Sequence, residues 1–368
     1  MNRLTDKGYS THFIGHNFLG QNLPPNPSML KDGTPFKFHL YGTGKFQYGQ
    51  DIIMPLIREL KPDFFGVLLD SFMMHGFFHT LDFAPAISYF YFPSDGGGGL
   101  PDGCEYILRK VNIPIAMSRF AQQQVKEVYG IECEYIPHGV DTKRYYKLNE
   151  EEKSNIKRKW GLEGKFVVGI VARNQPRKML DQTIRVAKEI CTKYQDVMFF
   201  MHCDPFDNAA AFNLVNLITR YQLQNRFIFS GMKVFNSFSY EQMNEIYNLF
   251  DVMLSTTSGE GFGLAAIEAM SCQVPVVITN YTTSKELIEE NGIAGELVNL
   301  ATEVTGSWMV DRAVIDIKDC VEKLETLYLN SSLRMKYGEV GRKKCEQYYS
   351  WDVVIPMWNI LFRKYKNG

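Results

Sequence analysis

Short apolar runs of strand length alternate with runs of helical periodicity along most of this chain, in two successive series. The first series lies between residues 11 and 118, and the second starts at "KFVVGIVAR" (165–173). Strands that alternate with helices in this way form parallel sheets, joined by right-handed crossovers and covered by helices. The sequence therefore predicts an α/β fold with two Rossmann-like domains.

A polar, charged segment separates the two series, at residues 134–165. It is typical of a linker that leads into one solvated helix, so we place the domain boundary between 142 and 164. The prediction is an N-terminal domain over 1–150 and a C-terminal domain over 151–350. We expect the last amphipathic segment, 351–368, to form a helix that packs back on the N-terminal domain.

The N-terminal stretch "MNRLTDKG" resembles the end of a helix and is followed directly by a strand-like run. A Rossmann domain normally opens with a strand and a glycine-rich turn. We therefore expect the first strand and its loop to be missing from the N-terminal domain.

The composition excludes several classes of protein. A net charge of −1 gives no reason to expect the strongly basic face that a nucleic-acid-binding protein needs. Seven scattered cysteines without a C-x-x-C pair argue against a disulfide framework or a zinc site and favour a reducing compartment. Because no run of eighteen apolar residues and no signal peptide occur, we expect a cytoplasmic protein.

The stretch "SGEGFGLAAIEAMSCQVPVV" (258–277) has the pattern of a ligand-binding turn. It follows a strand that ends in small polar residues, at the edge where open α/β sheets bind ligands. Its glycines allow the backbone to approach a ligand, and the following helix start offers free N–H groups to anionic oxygens. Glu260 in the turn and Glu268 in the helix can each accept hydrogen bonds from sugar-like hydroxyls.

A second turn, "VARNQPRKMLDQTI" (171–184), carries three basic residues between a strand and a helix that begins near Leu180. Arg173, Arg177 and Lys178 suit a pyrophosphate by charge and by forked hydrogen bonds. Basic loop residues are usually only solvated, so this turn alone is a weak signal. The acidic turn on the neighbouring loop strengthens the prediction of a pyrophosphate site.

Together these motifs resemble the family-4 retaining glycosyltransferases of the GT-B fold, over roughly residues 110–300. The resemblance rests on E-G-F-G-L-x-x-x-E followed by A-M-x-x-x-x-P-V-V, on R-x-x-x-x-K, and on "SRFAQQQV" and "YIPHGVDTKRY". It implies two Rossmann-like domains that face a central cleft, the first on the acceptor side and the second holding a nucleotide-sugar donor.

The resemblance also implies roles for individual residues. Arg173 and Lys178 would bind the donor pyrophosphate, Glu260 the donor sugar and Glu268 the ribose. The donor sugar and phosphates would lie against the backbone of Gly261, Phe262, Gly263 and Leu264. Because fixed cations and a helix start stabilise the leaving diphosphate, we expect no metal and no cofactor. Retention in this family is attributed to front-face attack, so we name no protein nucleophile.

The acceptor side is less well defined. Asp95 in the glycine-rich loop "YFPSDGGGGLPDG" (91–103) is the candidate to orient the acceptor or act as base, and a turn aspartate in a mobile loop is the alternative. We expect His138 to be structural and Asp141 to shape the linker turn. We expect the Met/Phe-rich stretch 70–83 to pack in the core. The alternative is that it exposes an apolar face that binds a lipid-linked or aromatic acceptor or forms an interface.

Partners and rival functions follow from this interpretation. We expect a glycan, lipid-linked or small-molecule acceptor and, for a lipid, peripheral association with the inner membrane surface. A glycoside hydrolase with Glu260 and Glu268 as its carboxylate pair is one rival, although it needs no cationic turn. A nucleotide-sugar epimerase on the same fold and a scaffold that binds donor without turnover are the others.

Overall fold

The computed structural model describes residues 1–15, 22, 35–207, 210–233 and 238–367. The chain divides into two compact units. Unit 1 contains Met1–Pro93, Gly99–Pro137 and Asp352–Gly368, and unit 2 contains Ser94–Gly98 and His138–Trp351. The glycine-rich segment Ser94–Gly98 therefore belongs to unit 2, although it lies early in the chain. The acceptor-side and donor-side roles of the two halves stay predictions.

Unit 1 contains two parallel sheets, one of two strands and one of four. The strands are β1 (His12–Ile14), β2 (His39–Tyr41), β3 (Phe64–Val67), β4 (Ile87–Phe92), β5 (Ile113–Ala116) and β6 (Glu134–Tyr135). β1 pairs with β2, and the larger sheet has the order β3-β4-β5-β6. The helices are α1 (Asn2–Thr5), α2 (Gln50–Leu60), α3 (Ser71–Met74), α4 (Glu105–Lys110) and α5 (Arg119–Tyr129).

The elements of unit 1 form where local chemistry favours them. The strands β4 and β5 are continuous apolar runs, as expected for inner strands of a parallel sheet with both faces covered, and Phe90 and Phe92 are fully buried. The helix α5 begins at Ser118, whose hydroxyl accepts the Ala121 N–H, and ends at Gly130 in the left-handed conformation.

The Met/Phe-rich stretch 70–83 forms the short helix α3 and one 3₁₀ turn, Phe78–Thr80. Met74 and Phe78 are almost completely buried in the core of unit 1, while Phe72 is partly exposed. Met74, Phe78, Leu81 and Phe83 belong to the core, in line with the expectation of core packing, while half of the residues of the stretch are exposed.

Unit 2 is a Rossmann-like unit around a six-stranded, fully parallel sheet of order β12-β11-β10-β7-β8-β9. Its strands are β7 (Phe166–Val171), β8 (Val197–His202), β9 (Phe227–Phe229), β10 (Val252–Ser255), β11 (Val276–Thr279) and β12 (Gly295–Val298). Its helices are α6 (Glu150–Lys159), α7 (Leu180–Lys193), α8 (Leu214–Arg220), α9 (Tyr240–Leu249), α10 (Leu264–Ser271), α11 (Ser284–Ile288), α12 (Ile317–Leu329) and α13 (Ser331–Lys344). The strand order reverses between β7 and β10, which makes their carboxyl ends the expected ligand crevice.

An antiparallel hairpin of β13 (Leu300–Thr305) and β14 (Asp311–Ile315) follows the six-stranded sheet. The alternation of apolar runs does not predict it, because β13 is almost entirely exposed and mixes apolar with polar residues. An isolated antiparallel bridge joins Asp311 of β14 to Gly97. The hairpin thereby holds the segment Ser94–Gly98 within unit 2.

The last helix, α14 (Trp351–Asn367), lies almost wholly in unit 1. Trp358 packs against Tyr89, and Phe362 packs against Phe64, with ring centroids 5.6 Å and 4.7 Å apart. Lys364 donates to Glu134 at 2.6 Å. In the part of the chain that the structure describes, no helix has the length and apolarity needed to cross a membrane.

Candidate functional site

The candidate site lies at the carboxyl ends of β7 and β10, where the strand order of the unit 2 sheet reverses. The loop after β7 carries Arg173 and a 3₁₀ turn over Pro176–Lys178. The loop after β10 carries Glu260 and leads into α10. The two turns singled out in the sequence are therefore neighbours, because parallel strands end at the same sheet edge.

Threonine hydroxyls hold the backbone of the two loops together. The Ser258 N–H donates to the Arg177 carbonyl at 2.7 Å, and the Thr257 hydroxyl donates to the same carbonyl at 3.3 Å. Thr256 donates to the carbonyl of Met179 at 3.0 Å. These threonines are buried, and buried hydroxyls of this kind fix a loop because they have no water to exchange with.

A second pair of buried threonines, after β11, fixes the turn that contains Glu260. The Glu260 N–H donates to the Thr282 hydroxyl at 3.0 Å. Thr283 donates to the Glu260 carbonyl at 3.2 Å and to the Phe262 carbonyl at 3.0 Å. Three adjacent strand ends thus contribute to one rigid turn.

The Glu260 carboxylate is buried between two cations. Lys178 Nζ lies 2.5 Å from Oε1, and Arg177 Nη1 lies 2.9 Å from Oε2. Arg177 Nη1 also donates to the Gly259 carbonyl at 3.0 Å. A buried carboxylate is costly unless it is paired and hydrogen-bonded, and here both oxygens are.

Opposite electrostatic effects act on this pair. Burial alone would raise the pKa of Glu260, but the charges of Lys178 and Arg177 outweigh it and hold the pKa below its usual value. Burial lowers the pKa of Lys178, and the nearby Glu260 charge only partly offsets this effect. We expect Glu260 to be ionised at neutral pH, which suits a hydrogen-bond acceptor and not a general acid.

Asp95 joins the same cluster from the segment Ser94–Gly98. Its carboxylate forms an ion pair with Arg177 Nε at 3.1 Å and accepts from Arg312 Nη2 at 3.0 Å. Arg312, on β14, also donates to the Asp95 carbonyl. These contacts with two guanidinium groups favour a role of Asp95 in orienting the arginines.

Three glycines allow the segment around Asp95 to lie flat against its neighbours. An added Cβ at Gly259 would overlap the Asp95 carbonyl, and one at Gly96 would overlap Val310 on the hairpin. At Gly97 it would lie 2.6 Å from the Tyr281 hydroxyl, which accepts the Gly97 N–H at 3.0 Å. Close backbone approach therefore explains this part of the glycine-rich sequence.

The helix α10 starts beside the charged cluster. Gly263 precedes it in the left-handed conformation (φ 101°), which only glycine adopts without strain. The first internal hydrogen bond of the helix runs from the Ala266 N–H to the Gly263 carbonyl. The N–H groups of Leu264 and Ala265 precede it and are available to an anion at the helix N-terminus.

Glu268 lies on α10, apart from the charged cluster around Glu260. Its Oε2 accepts from the Tyr247 hydroxyl of α9 at 2.6 Å, and the ring of Tyr145 packs edge to face against that of Tyr247, with centroids 5.7 Å apart. Burial raises the pKa of Glu268, and the nearby hydroxyls of Tyr247 and Tyr145 counteract only part of that rise. The structure thus gives the two glutamates different environments, one with cations and one with neutral donors.

The remaining predicted residues have other partners. Arg173 Nε pairs with Asp207 at 2.8 Å. The ring of His138 lies 5.2 Å from that of Trp351 and 6.0 Å from that of Phe262, which agrees with the expected structural role. Asp141 accepts the Lys143 N–H at 3.1 Å and so shapes the linker turn.

Several residues of the site are absent from the sequence-based prediction. Arg312 has no signal in the sequence, because its position depends on the hairpin. Tyr145 ends the motif "YIPHGVDTKRY", but the motif does not indicate that the linker packs this residue beside Glu268. Thr282 and Thr283 had a usable signal: a polar run, "TNYTTS" (279–284), after a buried strand. Among the described residues, no group of three or more His, Cys, Asp or Glu side chains is arranged to hold a metal ion.

Comparison with solved structures establishes the fold. Sucrose-phosphate synthase from Thermosynechococcus elongatus superposes with a TM-score of 0.76, covering 98% of this chain and 90% of that one at 14% identity. At this level of identity the similarity concerns the fold alone. The α/β architecture of the GT-B class, with two Rossmann-like units, is confirmed.

Curated relatives align over parts of the chain. The capsular polysaccharide biosynthesis glycosyltransferase CapM of Staphylococcus aureus is 32% identical over 122 residues, which are 32% of this chain and 28% of that protein. A GDP-mannose-dependent monoacylated α-(1-6)-phosphatidylinositol monomannoside mannosyltransferase of Corynebacterium glutamicum is 23% identical over 315 residues, or 81% and 74% of the two chains. The chain spans 56% and 51% of the length of two further relatives.

A family model covers more than half of the chain. The model described as "Glycosyl transferases group 1" matches residues 152–344. This range contains the loops after β7 and β10, with Lys178, Glu260 and Glu268. The chain belongs to the glycosyl transferases group 1 family.

Proposed function

We propose that this protein transfers a hexose from a nucleotide-sugar donor to an acceptor with retention of anomeric configuration, as the resemblance to family 4 implies. The observation that carries the proposal is the buried Glu260 carboxylate held by Lys178 and Arg177, directly before the N-terminus of α10. Cations and helix N-terminal N–H groups suit a diphosphate, and a carboxylate that accepts hydrogen bonds suits the hydroxyls of the linked sugar.

The donor pyrophosphate is placed at Lys178, Arg173 and the N-terminus of α10. In the reaction the bond between the anomeric carbon and the diphosphate oxygen breaks, and the diphosphate leaves with the electron pair. Fixed cations and helix N–H groups stabilise the growing negative charge without reorganising, which is often the main source of rate enhancement in an enzyme. Arg173 is half-exposed and forms an ion pair with Asp207. Because its side chain is already accessible, it can contact a ligand without a change in burial.

The donor sugar is placed at Glu260 and the ribose at Glu268. Glu260 stays ionised because its two cations lower its pKa, and it accepts hydrogen bonds from sugar hydroxyls. The cations beside Glu260 argue against a glycoside hydrolase, because hydrolysis of a glycoside releases no diphosphate and needs no cationic turn. The donor sugar and phosphates are placed against the backbone of Gly261 to Leu264, which lies between the two glutamates in the sequence.

The proposal includes no metal and no cofactor. In metal-dependent transferases a divalent cation neutralises the leaving diphosphate. In this proposal Lys178, Arg173 and the helix start supply the positive charge at the diphosphate. Turnover in excess chelator, compared with turnover in added Mg²⁺ or Mn²⁺, tests this part directly.

The acceptor is a glycan, a lipid-linked molecule or a small molecule. Among the relatives, CapM is named for capsular polysaccharide biosynthesis, and the Corynebacterium enzyme is named for a phosphatidylinositol mannoside. For a lipid acceptor, we propose peripheral association at the cytoplasmic membrane surface. Asp95 contributes by orienting Arg177 and Arg312, in preference to acting as a base.

The experiment is a donor panel. The protein is incubated with UDP- and GDP-linked hexoses, and release of nucleoside diphosphate is followed with and without candidate acceptors. NMR of the first product formed gives the anomeric configuration, which is expected to match that of the donor. A product of inverted configuration, or no turnover of any donor, would contradict the proposal.

A further inference from the structure

Two tyrosines outside the charged cluster lie beside Glu268. Tyr247 on α9 is completely buried, and its hydroxyl donates to Glu268 Oε2 at 2.6 Å. Tyr145, in the segment that follows the start of unit 2 at His138, packs edge to face against Tyr247, with ring centroids 5.7 Å apart. Its hydroxyl is close enough to the Glu268 carboxylate to lower the pKa of that group.

The surrounding contacts hold Tyr145 in place. Its carbonyl accepts from the Ser271 hydroxyl at 2.7 Å and from Arg342 Nη1 at 2.8 Å. Further along, the amide oxygen of Asn248 on α9 accepts the Leu148 N–H at 2.8 Å. The segment around Tyr145 is therefore anchored to α9, α10 and α13 by backbone hydrogen bonds.

This arrangement fixes the direction of the Glu268 carboxylate. A buried tyrosine hydroxyl needs an acceptor, and a short hydrogen bond to a carboxylate is among the strong ones. An ionised carboxylate offers about four acceptor positions. The tyrosine hydroxyls therefore leave acceptor positions on Glu268 for two donors of a ligand. Adjacent 2′- and 3′-hydroxyls of a ribose are a matching pair of donors.

We propose that Tyr145 and Tyr247 are positioning residues, which hold the Glu268 carboxylate so that it accepts both ribose hydroxyls and thereby set a preference for ribose over 2′-deoxyribose. The inference rests on the proposed function, which places the donor ribose at Glu268. It adds residues outside the two sequence motifs, one of them from the linker. A purely structural role would affect stability and leave the ribose preference unchanged.

The test uses calorimetry with UDP, GDP and their 2′-deoxy counterparts on the full chain. Wild type is expected to bind the ribonucleoside diphosphate about tenfold more tightly than the deoxy form, the scale of one hydrogen bond to a charged group. Tyr247→Phe and Tyr145→Phe keep the rings and remove only the hydroxyls. Each is expected to weaken binding of the ribonucleotide, which has two hydroxyls at Glu268, more than binding of the deoxynucleotide, which keeps only the 3′-hydroxyl, and so to reduce the ratio several-fold.

Two controls and three outcomes make the test decisive. Tyr240 lies on α9 like Tyr247, with its ring 6.2 Å from that of Tyr145, and Tyr240→Phe should keep the wild-type ratio. Glu268→Gln should abolish the preference for ribose. An unchanged ratio in both tyrosine variants would overturn the inference while the proposed function stands. A wild type that binds without ribose preference would also overturn it. A wild type that binds no nucleoside diphosphate would overturn the proposed function itself. Because Tyr145 and Tyr247 are tested separately, a folding defect in one variant leaves the other.

Discussion

Glu260 shows at the scale of one residue why the site is built as it is. Burying a carboxylate costs several kcal/mol unless each oxygen has a partner, and Lys178 and Arg177 occupy one oxygen each. The sequence predicts the glutamate and the lysine, because both lie in motifs with fixed spacing. It does not distinguish Arg177 from Arg173 as the partner of Glu260, since both are basic residues in one turn.

The first prediction concerns the two cations assigned to the donor pyrophosphate. Lys178→Ala and Arg173→Ala are each expected to lower kcat/KM by about 10² or more, the scale for losing one group that stabilises developing charge. Melting temperature serves as the check on folding. Arg185→Ala, an arginine of α7 whose side chain is 54% exposed, is the control and should retain activity. Near-normal turnover of both variants would remove the pyrophosphate assignment.

The second prediction concerns a buried histidine at the end of β8. Burial lowers the pKa of His202 to about 4, from an ordinary value near 6.5, and its Nδ1 lies 2.9 Å from the Ser230 hydroxyl. The unfolded chain therefore binds this proton more readily than the folded chain. Stability from the neutral histidine is complete above pH 6.5 and is lost progressively as the pH falls towards 4.

The size of this effect follows from the two pKa values. Between pH 7.5 and pH 5, His202 should account for about 2 kcal/mol of lost unfolding free energy. Because carboxylates titrate in the same range, the measurement is the difference between wild type and His202→Gln in urea unfolding at both pH values. The variant should lose about 2 kcal/mol less than wild type. Equal losses would mean that His202 is protonated without cost.

At the scale of elements, the β13–β14 hairpin is the part of the site that the sequence does not predict. β13 is exposed, so no buried apolar run marks the hairpin. Its contribution comes from tertiary contacts: Arg312 to Asp95, and Asp311 to Gly97. By contrast, strands β7 to β11 of the six-stranded sheet are apolar runs, which the sequence predicts together with most of their helices, whereas it does not predict β12.

The third prediction tests whether the hairpin acts on the site through Asp95. Asp95→Asn and Arg312→Gln should each lower kcat/KM about tenfold, and the double variant should be little worse than the worse single one. Contacting residues of one ion-pair network typically show coupling of about 0.5–3 kcal/mol. The exposed pair Arg158–Glu163, 3.0 Å apart, provides a control cycle with coupling close to zero. Additive losses at Asp95 and Arg312 would instead give the two residues independent roles.

At the scale of the whole molecule, the parallel sheets and the family were accessible from the sequence, and the acceptor was not. Sheet topology follows from alternating runs, and the donor turns follow from motif spacing. The acceptor has no comparable motif. The segment that we propose for it, Ser94–Gly98, is marked in the sequence only by its glycines, and the structure assigns it to unit 2. Relatives with names as different as a capsular polysaccharide enzyme and a phosphatidylinositol mannoside enzyme illustrate how one family serves several acceptors.

The central claim is that the unit 2 sheet edge binds a nucleotide-sugar, with Glu268 at the ribose and Glu260 at the sugar. Calorimetric titration of the bare nucleoside diphosphate into wild type, Glu268→Ala and Glu260→Ala tests it most directly. Loss of Glu268 should weaken binding roughly ten- to a hundredfold, as expected for a hydrogen bond to a charged acceptor. Loss of Glu260 should leave diphosphate affinity nearly unchanged while transfer is damaged. Equal losses for the two variants, or the opposite order, would contradict the account.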